Sequence, residues 1–431
     1  MVRRMLPGVY EGWIVVAGGG VMILAIGSIF FWGMGAIFNE MIAEFGWTVA
    51  ATAIAFSLRT EVSGVAAPVI GAIMDRIGTQ RVIIVGVVLT ALGFAYISIV
   101  HTLFEFYAGM VLAAIGTSAC GYPACFAAVA TWFNRRRSSA MAIITVGGGI
   151  GGVSTLVVGQ LVEEFGWRLA LRLLAVFILF AGLAIAANVR SRPAHHPQPI
   201  DGAAGESVAV RAAAAMWGVP IREALLSRPF IMMSLGLIAL SFATNAVVVH
   251  QIPYFERDLG TSKALAATGV AVFSFVSIAG RLGIGVLADR YSKRSMLALT
   301  GVLTVVGGTI LASASTATMA MVGILVIAPA FGGLIPVRPA ILADYFGTRH
   351  FGTINGVATL VTTTGGAAGP WVVGWPVDVS GSYTQGWLVC SGMAVVAIPL
   401  LLLSSPPTAL IERHRPVASD GDAPAPVASA H

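Results

Sequence analysis

Charge is what this sequence has least of. Aspartate, glutamate, lysine and arginine make up 10% of 431 residues, where a soluble protein of ordinary composition carries about 25%. A chain so poor in charge cannot cover a water-facing surface of this size, which excludes a cytosolic globule. Cysteine is scarce too. Cys120, Cys125 and Cys390 are the three in the chain; they lack metal-ligand spacing, offer no disulfide framework and read as small packing residues. Enzyme signatures are missing as well. There is no HExxH, P-loop, nucleophile elbow or Cys/His cluster, so an enzyme is not expected, nor a metal or cofactor. The longest polar segment, residues 189–228, is too short for a folded signalling domain.

What the chain has instead is apolar length. It is 57% hydrophobic, with a mean hydropathy of +0.88. Twelve candidate spans follow one another, at 13–37, 48–74, 82–100, 105–132, 140–162, 167–188, 229–254, 264–288, 296–314, 319–345, 352–374 and 386–404. Each is near the ~20 residues that cross a bilayer as a helix, and all are too long for barrel strands. The expected fold is therefore an all-α membrane protein of twelve helices. The first apolar run, behind MVRR, is too long for a signal peptide and reads as an uncleaved first helix.

The net charge of +6 does not point to nucleic acid. If the first span runs outward, the inner segments carry eighteen basic residues and the outer loops only Arg168, Arg257 and Lys263. That asymmetry predicts a cell-membrane protein with both termini in the cytoplasm. The partners expected are lipid, a small solute and protons, with the protein itself a monomer.

Residues 189–228 hold five arginines and SRPAHHPQPIDGAAGES. They read as a flexible cytoplasmic linker with a short surface helix near 216–226, and its paired histidines as solvated. The boundaries expected are a first half over 1–188, the linker, a second half over 229–404, and a disordered tail over 405–431.

The two halves repeat. GAIMDRIGTQR at 71–81 ends span two, and GVLADRYSKR at 285–294 ends span eight, 214 residues later. ATWFNRRR at 130–137 and ADYFGTRH at 343–350 repeat at an offset of 213. Two six-helix repeats joined by a linker place a binding site near the midplane between them.

These loops resemble the signature loop of the major facilitator superfamily, and the resemblance covers essentially the whole chain. EGWIV at 11–15 and WFNRRRSSAMAIITVGGGIG at 132–151 are similar to the monocarboxylate transporter and oxalate/formate antiporter branches. Ala142, Ile144 and Val146 depart from that pattern, in which smaller residues are usual. The resemblance implies a secondary transporter of small organic anions, foremost monocarboxylates, working by alternating access with possible proton coupling. A dicarboxylate or anion exchanger of the oxalate-formate type is the alternative, and a non-transporting receptor or scaffold is the alternative from another class.

The resemblance also assigns roles. Asp75, Arg76, Arg81, Asp289, Arg290 and Arg294 become an inner gate, whose carboxylates can cap the amides of the following helix or pair with arginine. Arg281 matches the span-eight arginine that holds a substrate carboxylate in those branches. A permanent cation at that depth is tolerated where it faces a cavity or a partner. Internal salt bridging is the plainer alternative. Three family features are missing: Ser277 stands where an aspartate is common, span one has no lysine, and span eleven has neither lysine nor arginine.

Other intramembrane polar residues are further candidates. Arg59, Arg338 and Asn245 are candidate substrate contacts, as is Tyr122 beside a proline that loosens the helix backbone. Glu61 and His250 are the candidates for proton coupling or an outer gate, histidine being the side chain that titrates nearest neutrality. The glycines at 147–149, 151 and 152, and Gly365, Gly366 and Gly369, read as close-packing surfaces rather than phosphate cradles.

Overall fold

The structure, a computed structural model, describes residues 10–193, 198, 200–202 and 217–415. The paired histidines of the linker and the last sixteen residues lie outside them. Among the described residues, twelve long helices cross the molecule. They are α1 (residues 11–45), α2 (Val49–Ile77), α3 (Thr79–Ile97), α4 (Leu103–Cys120, continued by Tyr122–Ala130), α5 (residues 137–165), α6 (residues 167–186), α7 (Arg228–Arg257), α8 (Lys263–Arg290), α9 (Lys293–Ser313), α10 (Ala317–Phe346), α11 (Phe351–Ser380) and α12 (Thr384–Leu403). Alternating direction brings both ends of the chain to one face, called here the termini face.

Among the described residues, nine runs are long and apolar enough by composition to cross a membrane, one of them being α5 and α6 read through as Arg137–Ala186. Gly166, at φ 74°, breaks that run into two helices, a conformation open to glycine because it has no Cβ. The two spans that fall short of the apolar criterion are α2 and α11. The first carries Arg59, Glu61, Asp75 and Arg76; the second is rich in threonine and glycine. The two pack against each other across the bundle, and each also exposes large apolar side chains, among them Val65, Val69, Trp371 and Trp375.

Helix starts are chemically marked. Thr48, Ser262 and Thr316 each accept a hydrogen bond from the amide three residues on, and Thr102 with Glu105 forms a reciprocal capping box. Such caps satisfy amides that a helix start otherwise leaves unpaired.

α1 departs from a regular helix. Two π-helical turns, Ile23–Gly27 and Ile29–Gly33, sit in its middle. π turns displace carbonyls from the ordinary ladder and recur at functional sites. Here neighbouring side chains meet those carbonyls. The Ser28 hydroxyl donates to Ile23, Ser154 to Ser28, Thr155 to Trp32, and Arg59 Nη1 to both Phe30 and Phe31 at 2.9 Å.

The described part of the linker carries the short helix expected near 216–226, and the tail is more ordered than expected. The Asp201 carboxylate accepts from the amides of Asn134, Arg135 and Arg136, and Ile221–Leu225 is a short helix. Thr408–His414 is helical too, which corrects the expectation of disorder from residue 405. The reason is local: His414 lies 3.1 Å from Glu223, and Arg294 donates to the Ser405 hydroxyl at 2.8 Å.

Candidate functional site

α1–α6 and α7–α12 meet along two seams, α2 against α11 and α5 against α8. Glycine makes both seams close. A Cβ added at Gly71 would collide with the Gly352 carbonyl, and one at Gly356 would lie 2.7 Å from the backbone of Pro68. On the other seam a Cβ at Gly285 would lie 2.6 Å from that of Ala142.

The signature carboxylates lock these seams at the termini face, in a way the sequence does not anticipate. Asp75 accepts from the amides of Gly352 and Thr353 at 2.8 Å and from the Thr353 hydroxyl at 2.6 Å. Asp289 accepts from the amides of Ser138 and Ser139 at 2.8 and 2.9 Å and from the Ser139 hydroxyl at 2.5 Å. Each therefore caps a helix of the opposite half, α11 or α5, rather than the next helix. Carboxylates are well placed there because a helix start carries unpaired amides and positive dipole charge.

The expected arginine pairing is a correction. Among the described residues Arg76, Arg81 and Arg290 make no ion pair, and Arg294 bonds the end of α12. The ion pairs that join the halves instead centre on Asp344. It binds Arg137 from the opposite half and, at 2.7 Å, Lys293 from its own. Arg137 and Lys293 are largely buried there, and Arg137 and Asp344 line a cavity of about 190 Å³. Sequence reasoning missed this cluster, although ATWFNRRR and ADYFGTRH contain Arg137 and Asp344.

Above the seams lies a cavity of about 390 Å³ between the halves. Arg59, Tyr122, Arg281 and Arg338 all line it. Among its described lining residues none is an aspartate or a glutamate.

Each side chain is held differently. Arg281 is 6% exposed; its Nη1 donates to the Thr145 carbonyl of α5, while its Nε has no partner. Two small residues make that reach possible. A Cβ at Gly149 would lie 3.6 Å from the Arg281 guanidinium carbon, and Gly332 lets α10 approach so closely that its Cβ would lie 3.0 Å from the Arg281 amide. Tyr122 begins the second part of α4 after the helix breaks at Gly121, which is extended. Its hydroxyl fills the space that a side chain at position 148 would need, and it interacts electrostatically with Arg281.

Arg59 is 8% exposed and already engaged. Besides the Phe30 and Phe31 carbonyls it lies over the Phe31 ring at 4.3 Å and near the rings of Phe56 and Phe30 at 5.4 and 5.6 Å. Arg338 donates to the hydroxyls of Thr362 at 2.7 Å and Thr359 at 3.3 Å. The Nε of both arginines is unpartnered. The threonines were not visible as site residues in the sequence; their signal was a run of hydroxyls one turn apart on α11.

The remaining candidates lie off the cavity lining. Asn245 donates to the Ser241 carbonyl of its own helix at 2.9 Å and packs by Gly366. Glu61 is half-buried on α2. His250 ties three helices of one half together, with Nε2 2.8 Å from the Pro370 carbonyl and Nδ1 3.2 Å from the Tyr383 hydroxyl.

Comparison with known proteins agrees with this architecture. The Major Facilitator Superfamily family model matches residues 20–251 and again 235–429, one match for each half. MFS transporter asaE of Aspergillus flavus is 26% identical over 331 residues, covering 74% of this chain and 69% of its own. Monocarboxylate transporter 13 of Bos taurus is 26% identical over 374 residues, covering 85% of this chain and 83% of its own. Among solved structures, FucP in the outward conformation superposes with a TM-score of 0.71 at 16% identity, covering 92% of this chain and 99% of that one.

Proposed function

The chain belongs to the Major Facilitator Superfamily, and from that membership we propose that it carries small carboxylate-bearing organic anions across the cell membrane by alternating access. It is a transport protein rather than an enzyme. The observation that carries the anion assignment is Arg281. A permanent cation lies buried on the cavity wall, with one bond to a backbone carbonyl, one unpartnered N–H and a phenol beside it. Burying a charge costs several kcal/mol unless something compensates it. Arginine's planar fork matches a carboxylate's two oxygens, and the Tyr122 hydroxyl can donate to the same group. Monocarboxylates are the expected class on the names of the relatives.

The arrangement of contacts supports the transport cycle. The hydrogen bonds and ion pairs described between the halves cluster toward the termini face, while Phe31 and Trp32 border the cavity as exposed rings. We read this as the state closed at the termini face, and take that face as cytoplasmic from the basic-residue asymmetry. Opening it requires the caps at Asp75 and Asp289 and the Asp344 cluster to separate. Neither Glu61 nor His250 lines the cavity, so no proton step is assigned to them here.

The test is uptake of labelled pyruvate by proteoliposomes, with and without an inward proton gradient, for wild type and Arg281→Gln. Uptake falling to the liposome background in the variant is expected. Equal uptake by both proteins would remove Arg281 from the substrate site, and stimulation by the gradient would report proton coupling.

A further inference from the structure

We propose that Asn355 is a release-side residue whose buried amide drives opening of the termini face. It has no protein partner while the halves are closed, and it is served once water and the leaving solute reach it. This rests on the reading above that the termini face is closed here, and not on which anion is carried.

Asn355 is 0% exposed, and among the described residues neither its side-chain nitrogen nor its oxygen has a partner. Its place on α11 gives that observation weight. Gly352 and Thr353, just before it, donate their amides to Asp75. Gly356, just after it, lies so close to α2 that a Cβ would stand 2.4 Å from the Ala67 carbonyl oxygen. α11 also touches the second part of α4, and α2 and α4 both belong to the opposite half. Thr359, one turn further on, lines the cavity, and Asn355 does not. Residues four apart share a helix face. Asn355 therefore continues the cavity wall into the layer that separates the cavity from the termini face.

The chain has a ready solution for buried polar groups, and Asn355 does not use it. On the same helix Thr359, Thr362 and Thr363 each donate to the carbonyl four residues back. Asn245 on α7 does the same with Ser241. An amide taken from water without a replacement bond is penalised. That penalty applies while the layer is closed and disappears when α11 parts from α2 and α4. It enters the conformational equilibrium with a sign opposite to the caps at Asp75 and Asp289. The caps hold the seam shut, and Asn355 limits how firmly they do so. A carrier needs that limit, because a seam that is too stable would trap its solute.

The experiment uses Asn355→Thr and Asn355→Leu. Threonine is close to asparagine in volume, and its hydroxyl can bond the Phe351 carbonyl as the neighbouring threonines do with theirs. Leucine keeps the branched outline without polar atoms. The reporter is a cysteine at Ala288, 1% exposed on α8. Its labelling by a hydrophilic thiol reagent is followed in the purified full-length protein in detergent, with thermal melting alongside and Asp75→Ala as the control that opens the seam. Both variants should label about ten-fold more slowly than the parent and melt higher. A residue that merely held the structure together would move both readouts the other way. Faster labelling, a lower melting temperature or failure to fold in Asn355→Thr would mean that the amide is paired, through water included, and supports closure; the proposal would then be overturned. Unchanged labelling in a parent that does label overturns it too and leaves the closed-face reading standing. If leucine overpacks the layer, threonine decides. No labelling of either the parent or Asp75→Ala would mean that this face does not open, and the closed-face reading would fall together with this inference.

Discussion

The Asp75 carboxylate caps α11 through Thr353, accepting from its amide at 2.8 Å and from its hydroxyl at 2.6 Å. The two residues belong to different halves. Asp289 and Ser139 repeat the contact in the other direction, onto α5. A cap that crosses the seam exists only while the seam is closed, so its free energy goes into the conformational equilibrium rather than into one helix. Losing a helix cap costs about 1 kcal/mol, up to about 2 in strong cases.

Asp75→Ala should therefore shift the equilibrium toward opening at the termini face by roughly five- to thirty-fold. The shift can be read as faster labelling of a cysteine placed at Ala358, which is 1% exposed on α11, by a membrane-impermeant thiol reagent. The native cysteines are buried and give little background. Asp289→Ala should act in the same direction and add to it, because the two caps share no partner. Labelling no faster than in the parent would show that the caps do not hold the seam.

Asp344 offers a second lever. It is paired with Arg137 across the seam and with Lys293 within its own half. Removing one partner of a part-buried ion cluster strands the others, which costs a few kcal/mol. Asp344→Asn should open the termini face more than Asp75→Ala does, measured by the same labelling. The exchange Arg137→Asp with Asp344→Arg should recover part of the loss. A double variant no better than the sum of its single changes would show that the pair contributes no attraction of its own.

Much of this was legible in the sequence, and what was not has physical reasons. Apolar length and the 214-residue repeat reveal twelve helices in two halves, because a bilayer enforces helix length and a repeated fold keeps its loops. Arg59, Tyr122, Arg281 and Arg338 stand out because a charge or a loosened backbone inside an apolar run needs an explanation, and all four line one cavity. Hydrogen-bond partners were not legible. Asp75 sits next to Arg76 in sequence, but its partners are 277 and 278 residues away, and no local spacing encodes that. His250 and Asn245 show that standing out in an apolar run does not by itself place a residue at the cavity. A polar residue in an apolar run can be satisfied by nearby carbonyls, and both are. The π turns of α1 leave no mark in composition at all; the side chains that bond their carbonyls come from α2 and α5.

Gly71 tests whether close approach at the seam is required. A Cβ there meets the backbone of Gly352, which cannot swing aside as a side chain would. Gly71→Ala should force α2 and α11 apart and raise labelling at position 358, or lower the melting temperature if the helices cannot separate. Gly283 is the matched control, since a Cβ there meets open space and alanine improves helix propensity by about 1 kcal/mol. Gly283→Ala should leave labelling unchanged and melt no lower than wild type. Similar behaviour of the two variants would mean that the seam tolerates a methyl group.

Arg59 carries the last prediction, because it serves α1 as well as the cavity. Its Nη1 bonds the Phe30 and Phe31 carbonyls at 2.9 Å, and its plane lies over the Phe31 ring. Hydrogen bonds from a charged donor contribute about 1.5–3 kcal/mol each, partly offset by the cost of burying the guanidinium. Arg59→Gln can keep one such bond but neither the charge nor the stacking, so a loss of about 2 kcal/mol is expected. The loss should be local. Amide exchange should accelerate over residues 29–34, where the second π turn depends on those bonds, and much less over α8, where Arg281 sits. Arg59→Lys separates charge from geometry. Its ammonium keeps the cation but cannot reproduce a planar donor stacked on a ring, so exchange over 29–34 should fall between wild type and Arg59→Gln. If Arg59→Lys matched wild type, charge alone would explain Arg59. If Arg59→Gln left exchange over 29–34 unchanged, the π turns would stand without it.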